Sequence, residues 1–62
     1  MWFLIVAVLT GAGSSQTPYR TDVFMERGFT KEANCTLAAE RYRALEKLNR
    51  VVKVDARCEF QP

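Results

Sequence analysis

The chain opens on Met1-Trp-Phe-Leu-Ile-Val-Ala-Val-Leu-Thr10, an apolar run without a charge, and everything after it is amphipathic or polar. Ile5, Val6 and Val8 are β-branched and Trp2 and Phe3 are aromatic, residue types that fit a pleated surface, so the run predicts a strand over about 2–10. Because it is apolar on both faces, it predicts a strand with neighbours on either side. Tyr19, Thr21, Val23 and Met25 then share one face of a second alternating stretch, about 19–26, with Arg20, Asp22, Phe24 and Glu26 on the other. Arg27-Gly28 is expected to close it, glycine being suited to a turn. The clearest alternation comes last. Val52, Val54, Ala56, Cys58 and Phe60 interleave with Lys53, Asp55, Arg57 and Glu59, which predicts a third strand over 51–60 with one wet face.

Between the second and third strands, Cys35, Ala38, Tyr42, Leu45 and Asn49 recur at spacings of three and four, with Leu37 and Leu48 beside them, and predict a helix over about 31–49. Thr30 is the expected N-cap and Glu32 suits the positive end of the helix dipole. Lys47 and Arg50 suit the other end, where Glu46 and Arg50 are spaced as an (i, i+4) pair. Gly11 to Pro18 gathers turn formers and reads as a loop.

The order is ββαβ, an α+β domain spanning 1–62. Strand two pairs with strand one through the Gly/Ser loop, the helix crosses back, and strand three returns parallel to strand two on the far side of strand one, which becomes central. One helix covers one face of such a sheet. Either Trp2, Leu4, Val6 and Val8, or Met1, Phe3, Ile5, Ala7 and Leu9, must therefore lie on the open face, and the first set is the candidate interface. The charged rows of strands two and three are expected to flank it. An apolar strip in that setting is the mark of self-association. A chain of 62 residues buries only roughly 60% of its unfolded surface, so a homo-oligomer, dimer or higher, would also compensate for a small core.

Two other readings of the opening run compete. A membrane-spanning helix needs about 20 apolar residues, and this run stops near Leu9. A secretory signal begins with a positive segment, and the first cation here is Arg20, although Thr10 to Ser14 has the small residues of a cleavage site.

Composition narrows the chemistry. Hydrophobic residues at 48% and charged residues at 26% describe a globular chain, and a net charge of +2 is too small to imply nucleic acid as a partner. No histidine is present, which removes the commonest general base and metal ligand together. No carboxylate pair is spaced for acid/base work and no ligand set for a metal, so neither an enzyme nor a cofactor is expected. Cys35 and Cys58 are placed to meet in the core. In an oxidising compartment they would bridge, for roughly 3 kcal/mol in the chain-entropy model; in a reducing one they would be two small buried hydrophobes. Cys35 near a helix start has no histidine to act as its base. Asn34-Cys35-Thr36 fits a glycosylation pattern but falls inside the helix, where it reads as coincidence.

Gly11-Ala-Gly-Ser-Ser15 invites comparison with a phosphate-binding turn, but it lacks the lysine and the following helix and reads first as a hairpin loop. Arg41, Arg43, Lys47, Arg50, Lys53 and Arg57 gather in the second half around Tyr42, and Glu40, Glu46, Asp55 and Glu59 offset much of that charge. Such a set is ordinarily a solvated face. Its functional reading is an anion pocket across a dimer interface, with arginines as bidentate ligands and tyrosine as a stacking plate. The candidate ligand residues are Ser14, Ser15, Tyr19, Arg20, Arg41, Tyr42, Lys53 and Arg57.

Phe29-Thr-Lys-Glu-Ala-Asn-Cys35, followed by Ala38-Ala-Glu-Arg-Tyr42 and a terminal Ala56-Arg-Cys58, resembles small uncharacterised proteins of proteobacteria and their phages. These open on an apolar segment and carry one cysteine at a helix start and one near the end. The resemblance lends no activity, and in several relatives the apolar start looks like a leader. Two expectations follow. The first is a non-enzymatic oligomeric binding protein of the host cytoplasm, a phage counter-defence factor that sequesters a small anionic ligand such as a cyclic nucleotide or blocks a host protein. The alternative is a periplasmic or membrane-attached structural module stapled by Cys35 and Cys58.

Overall fold

A computed structural model describes residues 1–62. Its elements are β1 (Trp2–Thr10), β2 (Arg20–Phe29), α1 (Glu32–Arg43), a short 3-10 turn (Ala44–Lys47) and β3 (Val51–Phe60). The strands form one antiparallel sheet in the order β2-β1-β3, so β1 is central and β2 and β3 run in the same direction on either side of it. The ββαβ order and the central opening strand are as the hydrophobic pattern predicts.

Register sorts the side chains. Leu4, Val6 and Val8 stand between Glu26, Phe24 and Asp22 on one side and Cys58, Ala56 and Val54 on the other. Opposed residues in an antiparallel pair share a face, so these rows form the face beneath the helix. Leu4, Val6, Ala56 and Cys35 are fully buried there, with Ala39 and Val54 nearly so. The candidate interface set is thereby corrected. Trp2, Leu4, Val6 and Val8 belong to the core or pack against it, and the open face carries Phe3, Ile5, Ala7 and Leu9. The reason lies in the register, which sets the apolar, even-numbered row of β3 opposite the even-numbered residues of β1.

Register also corrects the flanks of the open face. The charged row of β2, Arg20, Asp22 and Glu26, lies on the helix face; Thr21, Val23 and Met25 lie on the open one. The helix sits over β1 and β3 and scarcely reaches β2, so charges on that part of the helix face stay wet. Lys53, Asp55, Arg57 and Glu59 do line the open face as expected. The exposed apolar band is therefore two strands wide, with Val23 67% and Met25 48% exposed.

Three boundaries move. β2 continues past Glu26 to Phe29, because an extra residue is absorbed as a bulge between the Leu4–Glu26 and Trp2–Phe29 pairs. Gly28 takes a φ of +97° there, open to glycine at no steric cost. The helix begins one residue later than expected: Lys31, not Thr30, is its N-cap, and no side chain caps it. It ends at Arg43, and the chain tightens into the 3-10 turn before Arg50 reverses it at a φ of +70°. Arg50's carbonyl then accepts the Gly11 amide at 2.9 Å, tying the loop after β1 to the entry of β3. Gly11 is irreplaceable on steric grounds. Its φ is +115°, and a Cβ there would lie 2.4 Å from the Pro18 carbonyl oxygen.

Cys35 and Cys58 form a disulfide, with Cα atoms 6.1 Å apart, that fastens the first turn of α1 to β3. No helix is long and apolar enough to cross a membrane.

Candidate functional site

The eight candidate ligand residues fall in four places. Ser14 and Ser15 sit in the loop at one end of the sheet, where the Ser14 and Thr17 hydroxyls lie 2.7 Å apart and the Thr17 amide donates to Ser14 Oγ at 3.0 Å. The amides of Gly11 and Ala12 are also used internally, the latter by the Thr17 carbonyl at 3.0 Å. These bonds draw the two ends of the loop together. Tyr19 packs its ring over Gly13, where any Cβ would lie 2.9 Å from it. Arg20 is exposed on the helix face of β2 and reaches Asp22 at 3.4 Å. Lys53 and Arg57 lie on the opposite face of the sheet, Arg57 at 3.4 Å from Glu59. Within one chain these groups do not converge.

Arg41 and Tyr42 do meet, in a groove of about 290 Å³ between α1 and β2 lined also by Glu26, Ala38 and Leu45. Helical spacing of three and four aligns Ala38, Tyr42 and Leu45, and the shallow cover over β2 leaves the groove open. The Tyr42 hydroxyl donates to Glu26 Oε1, and its ring meets Phe24 edge-on with centroids 5.2 Å apart. That hydrogen bond holds the Tyr42 phenol above its ordinary pKa of 10.0, with desolvation and the Glu26 charge adding in the same direction. The carboxylate favours the protonated phenol and discourages an anion beside it.

The sharper asymmetry is at the edges of the sheet. Met1 and Gln61 exchange backbone bonds at 2.7 and 2.9 Å, which fixes the alternation along β1. Odd-numbered residues of β1 bond to β3, and even-numbered ones to β2. On β3 the amides and carbonyls of Val54 and Ala56 therefore point outward, away from β1. Both are met. The Val54 amide donates to Glu46 Oε1 at 2.7 Å, and Arg43 Nη2 donates to the Ala56 carbonyl. Glu46 thus serves the sheet edge and not the expected pair with Arg50. On β2 the same alternation turns Thr21, Val23 and Met25 outward, and no group of the chain bonds to them.

The pattern of residues that carry chemistry showed none of this edge capping. Its signal is faint: an acid and a base three residues apart at the end of the helix, Arg43 and Glu46, just before a strand.

Fold and geometry together define a small α+β module, a three-stranded antiparallel sheet stapled to a single helix. No protein-family model, curated protein or solved structure matches the chain.

Proposed function

We propose that the protein is a non-enzymatic, self-associating binding module, and that a second copy covers its open face. The observation that carries this reading is the apolar band of Phe3, Ile5, Ala7, Leu9, Val23 and Met25. The accessible surface of 4666 Å² exceeds the roughly 4100 Å² typical of a monomer of this mass. Arg27 stacks its guanidinium 5.5 Å from the Phe3 ring centroid and covers one end of the band. Of the rest, Val23 and Met25 are exposed and Ile5, Ala7 and Leu9 half-buried. Sedimentation of the full oxidised chain tests the reading: association is expected at tens of micromolar, and Ile5→Asp is expected to weaken it at least tenfold. A wild-type chain of 7.1 kDa that stays monomeric throughout would end this reading.

An anionic ligand such as a cyclic nucleotide belongs to this reading only if association of copies gathers basic side chains that stand apart in one. Calorimetric titration of the assembled protein with cyclic nucleotides tests that version, and no heat at micromolar protein removes it.

A second reading, that the module works in an oxidising compartment, is favoured by the Cys35–Cys58 disulfide. The central position of β1 favours a chain that keeps its first strand, since β2 and β3 pair only with it. Intact mass of the protein recovered from cells is the test. A reduced species argues against the oxidising compartment, and loss of the first ~16 residues, the leader length implied by the loop after β1, argues against the retained strand.

A further inference from the structure

The geometry points to a defined contact between copies: β2 pairs antiparallel with β2 of a second chain, centred on Val23, so that two three-stranded sheets become one of six strands. This deepens the proposed self-association, on which it rests, but it uses the sheet edge and not the open face.

Three observations support it. First, the two edges are treated differently: on β3 the outward Val54 amide and Ala56 carbonyl are met by Glu46 and Arg43, whereas on β2 none of the outward amides and carbonyls of Thr21, Val23 and Met25 has a partner. Bare edges of this kind are templates for another strand. Second, β2 is regular only from Arg20 to Glu26, since the bulge follows, and Val23 is the midpoint of that segment. Third, charge selects the register. Pairing about Val23 sets Arg20 of each chain opposite Glu26 of the other and Thr21 opposite Met25. A shift that moves the centre to Phe24 sets Asp22 against Glu26, and one that moves it to Asp22 sets Asp22 against itself. Only even shifts in the sum of paired numbers keep the outward groups facing each other, so these are the neighbouring alternatives. Like charges directly opposite are destabilising.

In the Val23-centred register the pairs Thr21/Met25, Val23/Val23 and Met25/Thr21 each exchange two bonds, about six in all. The apolar rows of β1 and β2 from both chains come together in the middle of the joint open face, and the charged rows of β3 move to its two outer margins. A twofold axis relates the copies, as an isologous contact requires.

The test is an exchange of charge between chains. Arg20→Glu and Glu26→Arg each place like charges at both symmetry-related contacts of a homodimer, but the mixed dimer of the two variants has opposite charges at both. Native mass spectrometry of an equimolar, isotopically distinguished mixture is expected to show the mixed dimer outnumbering the two homodimers together by roughly tenfold, where statistical mixing would give equal amounts. Val23→Pro gives a second measurement. Its missing amide points away from β1, so the variant keeps the intrachain ladder and is expected to lose edge association. Statistical mixing together with unchanged association of Val23→Pro would overturn the edge contact while leaving the face contact standing. A wild-type chain that never associates would overturn both.

Discussion

β2 and β3 flank the same strand, run the same way and are each ten residues long, yet they are held by different means. β3 is tied to the helix by a disulfide, has its apolar row under the helix, and has two outward backbone groups met by side chains. β2 has none of these. It holds to β1 by its ladder, to the helix by Tyr42 against Glu26 and Phe24, and to the core by Phe29, and otherwise faces water on both sides and along its edge. What separates them is where the helix comes down. A crossover that lands over β1 and β3 completes one side of the sheet and leaves the other uncovered.

Phe24 and Ala56 both stand opposite Val6, one on each side, and substituting each tests this contrast most strongly. Ala56→Asp buries an unpaired carboxylate in the core and is expected to cost about 3–5 kcal/mol, enough to unfold a chain of this size. Phe24→Asp, at a site already 38% exposed, is expected to cost about 1–2 kcal/mol. Thermal melts followed by circular dichroism compare them; equal losses would mean that the helix covers both strands alike.

Reducing the Cys35–Cys58 bond frees the β3 side from the helix and is expected to lower stability by roughly 3 kcal/mol, read as the shift in urea midpoint with and without reductant. Less is at stake at the edge. Glu46→Ala leaves the Val54 amide without its partner and is expected to cost about 1 kcal/mol, together with faster hydrogen exchange confined to β3.

The smallest effect is on the β2 side. Because the Tyr42 pKa is raised above 10.0 in the fold, its contribution is fully present below that value and fades as pH climbs through the folded pKa. Ultraviolet titration is expected to show Tyr42 ionising above the ordinary value of 10.0, and Glu26→Gln is expected to bring it back toward that value.

Much of this plan was legible in the residues. Strict alternation in Val52 to Phe60 and the two-sided apolarity of Trp2 to Leu9 together call for a central first strand, and Cys58 on the apolar row of β3 placed it within reach of Cys35. Which face of β1 meets the helix was not, since both of its rows are apolar and only pairing register decides between them. The expectation that Trp2, Leu4, Val6 and Val8 lie outside follows from that ambiguity. Ala39, a buried core residue, carries no distinct mark, because the stripe through Cys35, Ala38 and Tyr42 satisfies helical spacing without it, while Leu37 and Leu48 beside that stripe are exposed. Edge capping by Arg43 and Glu46 depends on the helix tightening into a 3-10 turn after Arg43, a geometry with no clear mark in composition or period. The bulge at Gly28 was hidden for a related reason: glycine after an alternating run signals a turn and a bulge equally well.

The most direct measurement is amide hydrogen exchange at Val23 and Val54, followed by nuclear magnetic resonance over a range of protein concentrations. The Val54 amide, held by Glu46 within its own chain, should be protected equally at every concentration, while the Val23 amide should exchange freely on dilution and become protected as chains associate. Val23 exchanging freely at the highest concentration, in a chain that has associated, would contradict a bare β2 edge as the meeting place of two copies.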